Sequence, residues 1–247
     1  MCAFVGWNQQ PKRLSETSCS KDSAQSSVKY TMAAKILRKC KTILDIGCGN
    51  GSFCVLLKNS LADLQLCGID VSEEAIRIAK SRGICAYQLN VDTDSFPFEN
   101  EYFDGIFCGE LIEHLYDPDH LLDEIYRVLK NEGICVLTTP NLASWYNRIF
   151  LLLGYQPLFT EVSRRHEVGY PFPFFSKEGR GGHIRVFTFK ALRELVIIHK
   201  FKIVFATGFG INTRVGYGKR WKILAEIANK IFNIASLSSD IMLVLSK

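Results

Sequence analysis

Three glycines at alternate positions, Gly47, Gly49 and Gly51, follow directly on the apolar run Thr42-Ile43-Leu44-Asp45-Ile46. Glycine there lets the backbone turn tightly and lets a ligand approach where any Cβ would collide. A glycine triplet alone is common in turns. This one is bracketed by two acids: Asp45 stands just ahead of it, and Asp70 ends the next apolar run. A carboxylate at that second place suits both hydroxyls of a ribose. The pattern points to a ribose-bearing cofactor, against the plainer reading of both aspartates as strand-end or helix-cap residues. A nicotinamide site would want its third glycine one place later, where Ser52 stands, and has no use for an acid at Asp45.

Few side chains downstream could handle a proton. Glu110 and His114 lie in the run Glu110-Leu111-Ile112-Glu113-His114, and both are candidate bases. For His114 the alternative is a helix-packing histidine close to Asp117. His166 and His183 are further candidates in an irregular stretch. The nine cysteines contain no CxxC pair, and no metal site is expected.

The elements that must position these residues alternate along the chain. A helix is expected from about Ser26 to Arg38, then a strand at 42–46 and a helix from Gly51 to Asn59. A second strand covers Leu64–Ile69, and Ser72 caps the next helix with Glu73 and Glu74 in its first turn. Ala86–Val91 and Phe103–Cys108 read as the third and fourth strands. Leu121, Leu122, Ile125, Val128 and Leu129 share one face of a helix over Asp119–Lys130, which Asn131-Glu132-Gly133 ends before a fifth strand at Ile134–Thr138. Near-continuous apolar strands separated by helices indicate a parallel sheet covered on both faces.

The rhythm breaks after Pro140-Asn141. A helix at Ala143–Leu153 leads into a stretch rich in Pro, Gly, Phe and Arg up to Gly182. A helix at Lys190–His199, a strand at Phe201–Thr207, a helix at about Trp221–Ile234 and a strand at Asp240–Ser246 follow. Residues 1–25 read as a loose tail, and 26–247 as one α/β domain with a lid-like insertion at about 143–187. Tyr170, Phe172, Phe174 and Phe175 would line an apolar acceptor pocket or form the insertion's own small core.

With these motifs in order, the chain resembles the class I S-adenosylmethionine methyltransferases. Asp45-x-Gly47-x-Gly49-x-Gly51 is similar to their first motif and Ile69-Asp70 to their second. The resemblance continues through Val91-Asp92-Thr93-Asp94-Ser95-Phe96-Pro97-Phe98, Phe103–Cys108, Glu113-His114-Leu115 and Leu129–Gly133. It implies a doubly wound, mostly parallel seven-stranded sheet with the last strand antiparallel, and S-adenosyl-L-methionine as cofactor. By the same resemblance the glycines make room for the methionine part and Asp45 helps to hold its amino group, directly or through water. Asp70 holds the ribose, Val71 packs on the adenine, Asp92 accepts from the adenine amine, and the Thr93 backbone meets the ring edge. Asp92 as a plain turn former is the alternative. Cys108 and Gly109 would flank the sulfonium. The segments Pro140–Arg148 and Gly182–Thr188 resemble a branch that includes quinone and methionine-pathway-associated members.

Cys108-Gly109-Glu110-Leu111 stands where amide- and base-directed relatives carry an Asn/Asp-Pro-Pro-aromatic tetrad. This tilts the expectation to O- or C-methylation of a small or lipid-like acceptor. The alternative is a catalytically quiet cofactor-binding partner protein. Of 247 residues 47% are hydrophobic and 22% charged, an ordinary globular balance. A net charge of +5 without charge blocks gives no reason to expect nucleic acid. No apolar stretch approaches the roughly 20 residues that span a bilayer. Trp145–Phe150 or Lys219–Lys230 could touch a membrane surface, although core-facing helices are the plainer account. The thiol-rich, signal-free chain is expected in the cytoplasm as buried free cysteines.

Overall fold

The computed structural model describes residues 28–59, 64–163, 166, 168–170, 182–210 and 234–247. The expected tail, most of the helix at Trp221–Ile234, and Phe172, Phe174 and Phe175 lie outside them.

Five elements build the first half of the sheet and its covering helices: α1 (Val28–Leu37), β1 (Thr42–Ile46), α2 (Ser52–Lys58), β2 (Gln65–Asp70) and α3 (Glu73–Ser81). They are followed by β3 (Cys85–Gln88), β4 (Phe103–Gly109), a single 3-10 turn at Ile112–His114, α4 (Pro118–Val128) and β5 (Leu129–Pro140). The described chain closes with α5 (Trp145–Leu152), α6 (Phe189–Ile198), β6 (Lys202–Phe209) and β7 (Asp240–Ser246).

The seven strands form one sheet in the order β3-β2-β1-β4-β5-β7-β6. Those from β3 to β5 pair in parallel, and β7 runs antiparallel between β5 and β6. Strand alternation divides the core into two layers. Ile43, Val136 and Met242 pack under α1, α2 and α3 with Leu37, Phe53, Leu57 and Ile76. Leu44, Ile46, Cys135, Leu137, Leu243 and Leu245 face the other way, onto Leu121, Leu122 and Ile125 of α4 and Leu192 and Val196 of α6. Each such fully buried aliphatic side chain contributes roughly 1.5–3 kcal/mol.

Helix starts follow local chemistry. Ser72 Oγ accepts from the Ala75 amide with Glu73 and Glu74 behind it, and Asp117 caps α4 by accepting from the His120 amide at 3.0 Å. Two strand boundaries differ from expectation. The third strand ends at Gln88 because Asn90 turns: its carbonyl accepts from Thr93 and Asp94, and its amide donates to Asp94 Oδ2. α4 stops at Val128, since Leu129 already pairs with Phe103 and the ladder resumes only at Ile134 opposite Gly105. Residues 130–133 therefore form a bulge, with Glu132 at φ +62° and Lys130 Nζ drawn to Asp104 at 2.7 Å. Not every described cysteine is buried: all seven are free thiols, and Cys85 is exposed.

Candidate cofactor and acceptor site

Parallel strands bring their carboxyl ends to one edge, where open α/β sheets bind ligands. The loops after β1, β2, β4 and β5 share that edge, so Gly47–Gly51, Asp70, Gly109–His114 and Asn141 are neighbours by topology. β1 lies between β2 and β4, which sets the glycine loop in the middle.

Gly47, Gly49 and Gly51 all adopt left-handed backbone, with φ of +72°, +53° and +79°. A Cβ on Gly47 would lie 3.2 Å from Leu111, so the loop after β4 sits directly on the glycine loop. At Gly51 the obstacle is not a ligand. A Cβ there would run into Ile84 and touch Ala79, so this glycine serves the packing of α2 against α3 and β3.

Asp70 fastens this loop. Its Oδ2 accepts from the Gly49 amide at 2.8 Å and its Oδ1 from the Ser72 amide at 2.9 Å. A carboxylate has about four lone-pair directions, so acceptor capacity remains for a ribose. Val71 is 44% exposed beside it, an apolar surface available to an adenine ring. The backbone cradle, the anchored carboxylate and the exposed valine fit S-adenosylmethionine.

The other expected cofactor contacts are distributed less simply. Asp45 is buried, with Oδ2 receiving the Cys54 thiol at 3.5 Å, and braces the loop from beneath. Asp92 Oδ1 accepts from the amides of Tyr116 and Asp117, which ties the loop after β3 to the start of α4. The Thr93 amide is spent on Asn90 O. Cys108 is fully buried in the core layer under α4, and burial pushes its thiol well above the usual range. Its side chain therefore cannot flank a sulfonium; only its backbone reaches the sheet edge. Gly109 leaves room for the Phe107 ring, which a Cβ would strike.

Beyond the glycine loop lie two polar clusters. In the first, Glu110 is held at φ +54°, a conformation that costs a non-glycine residue roughly 1–2 kcal/mol. Its amide donates to Thr138 O, and its carboxylate takes the Thr138 hydroxyl at 2.9 Å and Lys29 Nζ at 3.1 Å. Lys29 also meets Asp240 at 3.3 Å. Burial works against the Lys29 charge, but Asp240 and Glu110 outweigh it and hold the ammonium protonated beyond its usual range. Burial, opposed by Lys29, pushes the Asp240 carboxyl up to about 6. Nothing local in the sequence marks Lys29, which arrives from α1.

The second cluster contains His114. Its ring stacks on His183 with centroids 4.8 Å apart, and its Nδ1 lies 3.4 Å from Gly182 O. Asp117 is engaged as the α4 cap, so the expected alternative of a histidine near Asp117 is replaced by a histidine pair. Burial and the neighbouring His183 lower the His114 pKa, leaving the imidazole neutral at pH 7. Glu113 is 1% exposed, with Oε2 accepting from Thr139 Oγ1 at 2.9 Å. Burial and nearby Glu110 push its carboxyl well above the ordinary range. The Glu113 carbonyl accepts from the amides of Ile184 and Arg185, which laces residues 182–187 to the turn after β4. His166 is not among these groups.

Comparison with known proteins bears on the same stretch. Residues 44–137 match the family described as a methyltransferase domain. Over these residues the chain is similar to the S-adenosylmethionine-dependent methyltransferases, as the motifs led one to expect. The ubiquinone biosynthesis O-methyltransferase of Glaesserella parasuis is 31% identical over 41% of this chain and 46% of its own length. The carboxy-S-adenosyl-L-methionine synthase of Campylobacter jejuni is 30% identical over 54% of this chain and 57% of its own. The chain thus spans about half the length of these curated relatives. An Archaeoglobus fulgidus SAM-dependent methyltransferase structure, 19% identical, superposes with a TM-score of 0.57 over 92% of this chain and 97% of its own, a likeness of fold.

Proposed function

We propose that this chain transfers a methyl group from S-adenosylmethionine to an oxygen or carbon of a small or lipid-like acceptor. The observation that carries the reading is the seat of Leu111 over Gly47, where an added Cβ would lie 3.2 Å from its side chain; Glu110, Glu113 and His114 belong to the same segment after β4. When bound, the cofactor supplies a sulfonium that already activates its methyl group. The chain's residues have to orient, exclude water and manage a proton. Asp70 and the left-handed glycines hold and orient the cofactor. Glu110 is tied to Lys29 and Thr138 and acts as part of the wall, so the proton-handling group of a hydroxyl acceptor lies with His114. Residues 182–187 lie against the turn after β4, with His183 stacked on His114.

A lipid-like acceptor is supported by Ile149, Leu151 and Leu152 of α5, all exposed, Leu152 at 85%. Among the described residues no helix is long and apolar enough to cross a membrane. The free described thiols support a reducing, cytoplasmic setting.

A second reading has one observation in its favour: a relative is named as a synthase of a cofactor derivative. On it, the chain binds S-adenosylmethionine without methylating an acceptor. Incubating the chain with methyl-labelled cofactor and a cell extract separates the two. Labelled product that depends on the chain supports methyl transfer. Tight cofactor binding with no labelled product, across lipid and aqueous fractions, supports the second reading and removes the first.

A further inference from the structure

We propose that Cys67 and Cys85 form a thiol–disulfide modification site at the edge of the sheet. It reacts with a low-molecular-weight disulfide of the glutathione class and closes into an intrachain bridge. Cys67 lies on β2 and Cys85 on β3, and the two are register partners in the parallel ladder. Register partners project to the same face of a sheet. Neighbouring strands stand about 4.7–4.9 Å apart, inside the range of roughly 4.4–6.8 Å between the Cα atoms of a disulfide. The strands need neither part nor change register for a bridge to form.

Two features separate this pair from the other described thiols. The first is access. β3 is an edge strand, and Cys85 is exposed on it, whereas Cys67 behind it is buried. Cys85 therefore meets solutes and Cys67 does not. Cys48, Cys54, Cys108 and Cys135 are all buried. Cys108 and Cys135 do lie on adjoining strands, but they are out of register and closed off in the core.

The second feature is contact. The Cys67 thiol hydrogen-bonds that of Cys85, and burial together with this neighbour pushes Cys67 up to about 12. Cys85 Sγ donates in turn to the Tyr87 hydroxyl at 3.4 Å. Tyr87 is itself held edge-on against Phe98, with centroids 5.5 Å apart. An exposed thiol in front and a protonated thiol behind assign the roles: Cys85 attacks, and Cys67 closes the bridge.

In the first step the Cys85 thiolate attacks one sulfur of the glutathione disulfide. That S–S bond breaks, a mixed disulfide forms on Cys85, and one glutathione leaves as its thiolate. In the second step Cys67 gives its proton to the departed thiolate or to water, attacks Cys85 Sγ and expels the other glutathione. The two protein thiols lose two electrons, and the glutathione disulfide gains them. Once the mixed disulfide exists, Cys85 carries no charge to oppose ionisation of Cys67, so one cause of its high pKa is gone.

The bridge would tie the edge strand to the strand that ends in Asp70. The two strand ends already meet there: Asp70 O accepts from the Leu89 amide at 2.9 Å, and Gln88 Nε2 donates to Val71 O at 3.2 Å. An exposed thiol open to irreversible oxidation becomes a disulfide that a reductant reopens.

The test uses the full-length chain, fully reduced and then equilibrated with reduced and oxidised glutathione at graded ratios. Free thiols are alkylated, and the digested chain is mapped by mass spectrometry without reduction. The wild type should give a peptide pair linked through Cys67 and Cys85, which dithiothreitol releases. Cys67→Ala should instead hold glutathione on Cys85 at a level at least tenfold above the wild type. Cys85→Ser, a change at an exposed position, should give neither the bridge nor glutathione on Cys67. Mapping of the wild type and of Cys85→Ser decides the matter even if Cys67→Ala fails to fold. No Cys67–Cys85 linkage at any ratio, or a linkage that forms only in urea, overturns the site. Glutathione that stays on Cys85 in the wild type, or appears on Cys67 in Cys85→Ser, overturns it equally.

Discussion

The Gly49 amide donates to Asp70 Oδ2 across 2.8 Å, so the carboxylate expected to hold a ribose also fixes the glycine loop. Its other oxygen accepts from Ser72 at the start of α3. One side chain thus joins β1's loop, β2 and α3.

Asp70→Ala should lower S-adenosylmethionine affinity at least tenfold, since each charge-assisted hydrogen bond is worth roughly 1.5–3 kcal/mol. Part of that loss comes from the loosened loop. Asp70→Asn keeps the shape and one acceptor, and should fall between the wild type and alanine. Calorimetry giving equal affinities for all three would remove Asp70 from the site.

Gly51 and Gly154 have the same φ of +79° but different surroundings. Alanine at either incurs backbone strain of about 1 kcal/mol. At Gly51 the new methyl also meets Ile84, whereas at Gly154 nothing lies within 4 Å. Overpacking adds roughly 1–3 kcal/mol, so Gly51→Ala should be clearly the less stable in urea unfolding. Equal midpoints would contradict the packing assigned to Gly51.

Lys29→Met should destabilise the chain by roughly 1–3 kcal/mol, because it removes the cation that the partly buried Glu110 and Asp240 share. Adding Asp240→Asn to that variant should recover part of the loss. A double variant no more stable than Lys29→Met alone would show that the three charges do not act together.

His199, at the end of α6, bridges to Asp119 at 2.9 Å and Asp123 at 2.8 Å on α4. Burial opposes its charge, but the two carboxylates prevail and raise its pKa. A group whose folded pKa is raised contributes fully below its unfolded value of about 6.5 and loses that contribution as pH rises through the folded value. The stability gap between wild type and His199→Gln should therefore be widest near pH 5.5 and shrink towards pH 8.5. A gap that stays constant across that range would show that His199 does not titrate against these carboxylates.

The glycine loop and its neighbouring acids were legible in the sequence because their signals are local. Left-handed glycines, an acid at a strand end and a capped helix act within a few residues, and strand–helix alternation constrains which loops share an edge. The seven-stranded sheet and the methyltransferase likeness followed from that order of motifs. Finer boundaries did not, because tertiary pairing set them: Asn90's turn shortened β3, and Leu129 joined the sheet by pairing with Phe103. Cys108 likewise read as a sulfonium neighbour until the pleat turned its side chain into the core. What only the tertiary structure decided is the acceptor side. Lys29, Glu110 and Asp240 come from α1, β4's end and β7, and Glu113 and His114 meet His183 from across the insertion. No spacing rule links such residues, because their proximity comes from sheet order and a returning loop. Burial then changes their chemistry: the same carboxylate that would be an ordinary surface acid becomes, at Glu113, a group with a raised pKa and an unpaired oxygen.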